Sequence, residues 1–480
     1  MKSIKKNFAW NAILKVSAVI FPLITYPYVS RAIGAEGIGK VSFATSVVSY
    51  FSIIAQLGIP TYGIRCCAQV SDDKEELSKR VQEILIINII TTVIAYFILF
   101  VSIGFVPKLR SEKGLLLITS LELLFNAIGV VWLFSGIEEY SYITIRSLIF
   151  KMASLFFIIL MVKNPSDYII YGGILVAANV GSNIFNFFYS RKFVTYKHIY
   201  KLNVQQHIKP IFTFFTMAVA TTIYTSLDTI MLGFMVGDVQ VGFYTSATKV
   251  RSVLLGFVNA LSTVLMPRAS FYIKNHQDKE FISISKKAFD CIVVCASSLW
   301  FFFTLFSREC IVVLSGNGFE GAIPAMVCIM PTVFICGISN LTALQVLVPL
   351  GKEKGVLVTQ IIGAILDFIF NAIFIPTYGA TAAAIATTFA ETVIAALQIY
   401  MVYNAGVRLV DKETIVKSAI SNGIAIAVCL TVSNIRMAGL IKLAVAAVIY
   451  YSAYITSLFV LHEKTVIQIA ATAKMRIKKR

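Results

Sequence analysis

The chain has 480 residues, of which 58% are hydrophobic and only 14% charged, with a mean hydropathy of +0.81 and a formal net charge of +18. That is too apolar and too charge-poor for a soluble globular protein of this length and marks a polytopic membrane protein. The positive balance invites a nucleic-acid reading, but no soluble module between the apolar runs carries the basic residues, so no nucleic acid is expected as a partner.

Apolar runs of about 20 residues, each long enough for a bilayer core of roughly 30 Å, recur along the whole chain without sustained strand-like alternation. The expected fold class is an all-α polytopic membrane protein with about 14 transmembrane helices. The first half supplies spans at 10–30, 41–62, 82–104, 114–135, 143–162 and 168–189. The second half supplies 210–234, 243–266, 288–307, 323–347, 356–376 and 379–401, and an extra pair follows at 415–434 and 439–461. The expected organisation is an N-terminal six-helix lobe (1–195), a C-terminal six-helix lobe (196–404) with a central cavity between the two, and a helix pair with a basic cytoplasmic tail (405–480).

The first span follows a basic start, yet it is too long, and Tyr28-Val29-Ser30-Arg31 too poor a cleavage site, for a signal peptide. Between the first two spans, Gly34, Gly37 and Gly39 stand where the backbone must turn sharply or pack closely, with Arg31, Glu36 and Lys40 at the water line. An echo returns two hundred residues later: GAEGIGKVSFATS from Gly34 is matched by GDVQVGFYTSATK from Gly237, the mark of an internal repeat. With the spans alternating, roughly 30 Lys and Arg fall on the side of the N-terminus against about 11 on the other. Both basic ends, Lys2, Lys5 and Lys6 and then Lys474 to Arg480, are therefore expected in the cytoplasm. The connections Ile64 to Val81 and Arg268 to Phe289 carry mixed charge at amphipathic spacing and are expected to lie along membrane lipid headgroups.

Three signals carry no chemistry. Gly316-Asn317-Gly318-Phe319-Glu320-Gly321 fits a dinucleotide fingerprint but follows an apolar span, with no strand around it, and reads as a turn. His198, His207, His276 and His462 fall in loops without metal-ligand spacing, so no metal and no catalytic centre is expected. The eight Cys make no CxxC pair, and Cys291 and Cys295 read as packing residues on one helix face.

Charges inside spans are the informative residues, because each costs at least about 2.5 kcal/mol at mid-membrane and persists only when paired, hydrated or used. Lys15, Glu122, Asp228, Lys249, Arg251, Asp367 and Glu391 qualify. Asp228 lies roughly 9 Å inside one end of its helix and Lys249 at a similar depth on the next, so the two are expected to face each other. They serve either as a structural ion pair or in substrate handling. Lys15 either snorkels to the inner surface or joins Arg31, Lys249 and Arg251 around a cavity, and a cluster of cations there suits a substrate bearing phosphate. Glu122, Asp367 and Glu391 are candidate proton or sodium sites, or else helix-to-helix hydrogen bonds.

YPYVSRAIGAEGIGKVSFATS, LGIPTYGIR, SLDTIMLGFMVGDVQVGFYTSATK, VLVPLGKEKG and IPTYGATAAAIATTFAE together resemble the polysaccharide flippases of the Wzx type, within the multidrug, oligosaccharidyl-lipid and polysaccharide exporter superfamily. The sequence departs from the family at Thr381, where another Gly often follows Tyr378-Gly379-Ala380. The resemblance implies a transporter, not an enzyme. Its expected cargo is an undecaprenyl-diphosphate-linked oligosaccharide, moved by alternating access across the bacterial cytoplasmic (inner) membrane for O-antigen, capsule or exopolysaccharide synthesis. It implies no cofactor beyond H+ or Na+ coupling, and a polysaccharide polymerase and a chain-length regulator as protein partners. On this reading Lys15, Arg31, Lys249 and Arg251 hold diphosphate or sugar, with Asp228 as their partner. Two alternatives remain. A cation-coupled multidrug exporter of the same superfamily needs an acidic and aromatic cavity. A membrane polymerase or glycosyltransferase needs a large catalytic outer loop, and no loop here is long enough.

Overall fold

The computed structural model describes residues 4–196, 202–263, 266–433 and 439–468. The expected basic tail from Lys474, the residues around His198 and the end of the 415–434 span lie outside them. Every regular element among the described residues is helical: α1 (Ile4–Gln56), α2 (Ile59–Ala68), α3 (Lys74–Phe105), α4 (Pro107–Ser111), α5 (Lys113–Gly129), α6 (Val131–Gly136), α7 (Tyr140–Met161), α8 (Tyr168–Val176), α9 (Asn183–Ser190), α10 (Gln205–Met235), α11 (Asp238–Thr263), α12 (Met266–Lys274), α13 (Asp278–Leu305), α14 (Ser307–Ser315), α15 (Ala322–Ile329), α16 (Pro331–Asn340), α17 (Glu353–Asn404), α18 (Lys412–Ser433) and α19 (Gly439–Val460).

Nine helical stretches among the described residues are long and apolar enough to cross a membrane. Of the two longest, Glu353–Asn404 contains two of the expected spans and Ala9–Gln56 contains the first and most of the second. Their hinges are glycines in backbone conformations that L side chains rarely adopt, Gly34 at φ 69° and Gly379 at φ 54°. The expected spans 114–135, 210–234 and 243–266 correspond to α5 with α6, α10 and α11. Large apolar side chains such as Phe97, Phe105, Phe156, Ile373 and Val448 remain exposed on the helices, as a lipid-facing surface requires.

The chain divides into two compact units, Met1–Gly242 and Phe243–Arg480. In the first, α1 packs against α3, α5, α7 and α10. A core of Ile59, Cys66, Cys67, Leu77, Ile84, Trp132, Leu133 and Phe134 lies where α2, α3 and α6 meet. In the second, α13 packs on α16 and α18, and α17 packs on α15 and α16. The terminal pair α18 and α19 is joined to α13 by buried hydrogen bonds: Ser297 with Ser418 at 2.9 Å, Tyr454 to the Val294 carbonyl at 2.9 Å, and Asn422 to Ser297 at 3.2 Å.

Several expected boundaries shift. The second span ends at Gln56, where Leu57 and Gly58 both take positive φ, and α2 starts at Ile59. The Ile64 to Val81 connection is not wholly a surface helix, since Cys66 and Cys67 are buried and the residues from Lys74 onward already belong to α3. His207 is not a loop residue either: it is buried in the first turn of α10. The Gly316 to Gly321 segment is the expected turn, with Gly316 and Gly318 both at φ 89°.

Candidate functional site

The polar pocket of the first unit begins with a broken helix. α5 stops at Gly129, Val130 takes the left-handed conformation (φ 37°, ψ 38°), and the chain resumes as α6. A β-branched residue is strained there, and strain of this kind gathers at functional sites. Two contacts hold the break. Asn186 donates to the Gly129 carbonyl at 2.6 Å, and Asn183 lies so close to Gly129 that a Cβ would come within 2.6 Å of it. Facing this break, the chain between α8 and α9 widens into a π-turn at Ala177–Gly181, a feature frequent at functional sites.

These irregularities leave a cavity of about 350 Å³. Asn126 and Trp132 line it from α5 and α6, Arg146 and Ser147 from α7, Asn179 and Asn183 from the π-turn and α9, and Gln56 from the end of α1. Arg146 is only 8% exposed. One of its Nη groups donates to Asn183 Oδ1 across a long 3.4 Å, and its guanidinium lies 5.5 Å from the Tyr142 ring centre. Its Nε and other Nη have no partner, and neither has the Trp132 indole N–H. Asn183 in turn donates to Asn126 Oδ1 at 3.4 Å. Five residues further along α7, Lys151 is buried and donates to Ser17 at 2.9 Å.

The second unit contains a different arrangement. Arg251 on α11 donates through Nε to Thr332 Oγ1 at 2.6 Å and through Nη2 to Cys336 Sγ at 3.4 Å, and Nη2 lies 3.7 Å from Glu391 Oε1. Asp367 and Asn371 sit one turn apart on α17, both buried, on the chain before the Gly379 hinge, and Glu391 follows it. Gln398 accepts from Ser339 at 3.0 Å and Thr342 at 2.9 Å, and donates to Thr359 at 3.2 Å. Among the described residues no group of three or more His, Cys, Asp or Glu could hold a metal ion.

A family model described as "Polysaccharide biosynthesis protein" matches residues 4–273. The chain belongs to that family. In keeping with membership of the polysaccharide biosynthesis family, curated relatives span most of the chain. A protein of Escherichia coli strain K12, described as a candidate O-antigen transporter, is 23% identical over 404 residues, 84% of this chain and 97% of its own length. One of Shigella dysenteriae with the same description is 25% identical over 396 residues, 81% of this chain and 98% of its own. Solved structures share the fold. A lipid II flippase MurJ in an inward closed conformation has a TM-score of 0.76 at 15% identity, over 95% of this chain and 100% of that one. An inward-facing multidrug resistance MATE family transporter of the MOP superfamily has a TM-score of 0.61 at 15% identity, over 80% and 93%. The resemblance read from the sequence motifs therefore holds. This polysaccharide biosynthesis family member is a multi-pass membrane transporter, and the enzyme alternative falls away.

The residues singled out from the sequence fall in both units. Arg251 and Glu391 come together in the second unit. Asp228, on α10, belongs to the first unit and Lys249, half-buried on α11, to the second. Lys15 and Arg31 are both exposed on α1, the latter with a guanidinium that donates to the Pro27 carbonyl. Glu122 is half-buried on α5. Arg146 and Lys151 were not singled out, although the rule that reaches Glu122 also reaches Lys151. Arg146 stands only three residues into the expected span at 143–162, where a cation ordinarily reads as interfacial.

Proposed function

We propose that this transporter moves an undecaprenyl-diphosphate-linked oligosaccharide repeat unit across the bacterial inner membrane, exposing its binding groups first to the cytoplasmic face and then to the outer one. The observation that carries the reading is the family match joined to curated relatives, described as candidate O-antigen transporters, that cover more than four fifths of the chain. The polar groups within the two units support it. A glycan needs amides and hydroxyls within the membrane, which Asn126, Asn179 and Asn183 in the first unit and Asn371 and Gln398 in the second supply. Lys15, Arg31, Lys249 and Arg251 are the candidate contacts for diphosphate or sugar, with Asp228 as their counter-charge. Glu122, Asp367 and Glu391 are the candidates for coupling to protons or sodium. The excess of Lys and Arg on that side supports a cytoplasmic position for both termini. Repeat units released outside become substrate for a polysaccharide polymerase with its chain-length regulator.

The test is reconstitution into liposomes with a defined lipid-linked oligosaccharide, measuring leaflet transfer with and without an ion gradient. Transfer above that of protein-free vesicles supports the reading. No transfer under either condition, from protein that remains folded, overturns it.

A further inference from the structure

We propose that the Arg146 pocket of the first unit recognises a carboxylated sugar in the carried glycan, an inference that rests on the transport reading above. A cation kept in a membrane bundle for structure is ordinarily paired, as Arg251 is with Glu391. Arg146 is not. It is more than nine-tenths buried, it lines a cavity, its Nε and one Nη have no partner, and its one hydrogen bond to a side chain is a stretched contact with a neutral amide. Two idle N–H groups around a single positive charge are a receptor for one oxyanion, because charge-assisted hydrogen bonds are the strong ones and carboxylate matches the planar guanidinium.

The rest of the lining selects among oxyanions. Asn126, Asn179 and Asn183 offer both donors and acceptors, the set that reads ring hydroxyls. The volume, about 350 Å³, is at the small end for ligand sites and suits a sugar ring better than an extended lipid diphosphate. One guanidinium balances one carboxylate, whereas a diphosphate carries more charge than this pocket neutralises. The carboxylated sugar is therefore the favoured occupant and the diphosphate the competitor.

The experiment uses the full chain, purified in detergent and in liposomes. Two disaccharides identical except for a terminal glucuronic acid or glucose are compared for binding, with inorganic pyrophosphate as a third probe. Wild-type protein is expected to bind the glucuronate disaccharide about tenfold more tightly than the glucose one, Arg146→Gln to erase that preference, and Arg146→Lys to restore part of it. With the same disaccharides on undecaprenyl diphosphate, Arg146→Gln is expected to lower transfer of the acidic probe about tenfold more than that of the neutral one. Asn179→Ala, at an exposed pocket position, gives a second variant should Arg146→Gln melt early. It is expected to weaken binding of both disaccharides. Equal binding of both by wild type overturns the proposal, as does displacement by pyrophosphate with equal loss of both probes, which assigns the pocket to the diphosphate. Binding preference without transfer of either lipid leaves the pocket standing and sinks the flippase reading instead.

Discussion

Gly39 meets the backbone carbonyl of Asp238 so closely that a Cβ has no room, and Gly242 meets the carbonyl of Ala35 in the same way. The contact is reciprocal. Each glycine lies five residues after the positive-φ glycine of its own repeat, Gly34 or Gly237, and each touches the residue that follows the other one. Lys108 adds an ion pair to Asp238 at 2.7 Å. Two helix starts of one repeated motif thus approach backbone to backbone, which only glycine permits.

From this follows a steric prediction. Gly242→Ala has to push two backbones apart and is expected to cost about 1–3 kcal/mol, the usual range for overpacking. Gly256→Ala, at a helical glycine with nothing within 4 Å of its Cβ position, is the control. It should be neutral or stabilising by about 0.5–1 kcal/mol. Thermal unfolding of both purified variants checks the contrast.

A buried pair at the start of α10 makes stability depend on pH. His207 Nε2 lies 2.7 Å from Glu83 Oε2 and its Nδ1 2.6 Å from the Tyr62 hydroxyl, with both His207 and Glu83 at 0% exposure. Gln206 and the Asn203 backbone also donate to Glu83, at 3.0 and 2.6 Å. Burial pulls the His207 pKa down, but Cys66 and Glu83 push it up by more, so it stands above its usual value. A raised histidine pKa stabilises the fold fully below the unfolded value, about 6.5, and that stability is lost as pH rises through the folded value. Cys66 acts in the opposite sense: burial raises its pKa, but His207 and Arg80 hold the thiol below its usual range. The difference in melting temperature between wild type and His207→Gln is therefore expected to be largest near pH 6 and to shrink as pH rises above about 6.5.

Much of this architecture was legible in the sequence because hydrocarbon imposes one strict demand, an apolar run about 20 residues long. The hinge at Gly34 was legible as a glycine where the backbone must turn between adjoining spans, whereas Gly379 stood out only as part of the family motif Tyr378-Gly379-Ala380. The breaks within spans were not legible: hydropathy is blind to the turn at Val130, made of apolar residues and held by distant Asn186, and to the π-turn at Ala177–Gly181, where Asn179 alone is polar. His207 read as a loop residue because its partner Glu83 is 124 positions away. Arg146 was hidden by its nearness to an expected span end, and its isolation is a fact of three dimensions. Arg251 and Glu391, by contrast, were marked by charge alone, although nothing in their spacing joined them.

That pair supplies a prediction about the second unit. Arg251 and Glu391 are largely buried, so truncating one leaves the other charge stranded. Arg251→Met is expected to destabilise by about 3 kcal/mol, and the double variant Arg251→Met with Glu391→Leu to recover most of the loss, because apolar replacement of a buried pair is often neutral. A double-mutant cycle on melting temperatures, or on denaturant midpoints where unfolding is reversible, reads the coupling.

Asp367 is the residue on which energy coupling is expected to turn. It is 1% exposed on α17, one turn before buried Asn371 and three turns before the hinge at Gly379. A carboxylate at such a position persists in a membrane helix only if it is paired, hydrated or used. Asn has the same shape without the ionisable group, so Asp367→Asn should leave the melting temperature within a few degrees of wild type while removing the site's capacity to take up and release a cation. In liposomes the variant is expected to move lipid-linked oligosaccharide at the rate wild type shows without a gradient, and to show no acceleration when a proton or sodium gradient is applied. Unchanged acceleration in a folded Asp367→Asn protein would remove Asp367 from the coupling step and leave Glu122 and Glu391 to be tested in the same assay.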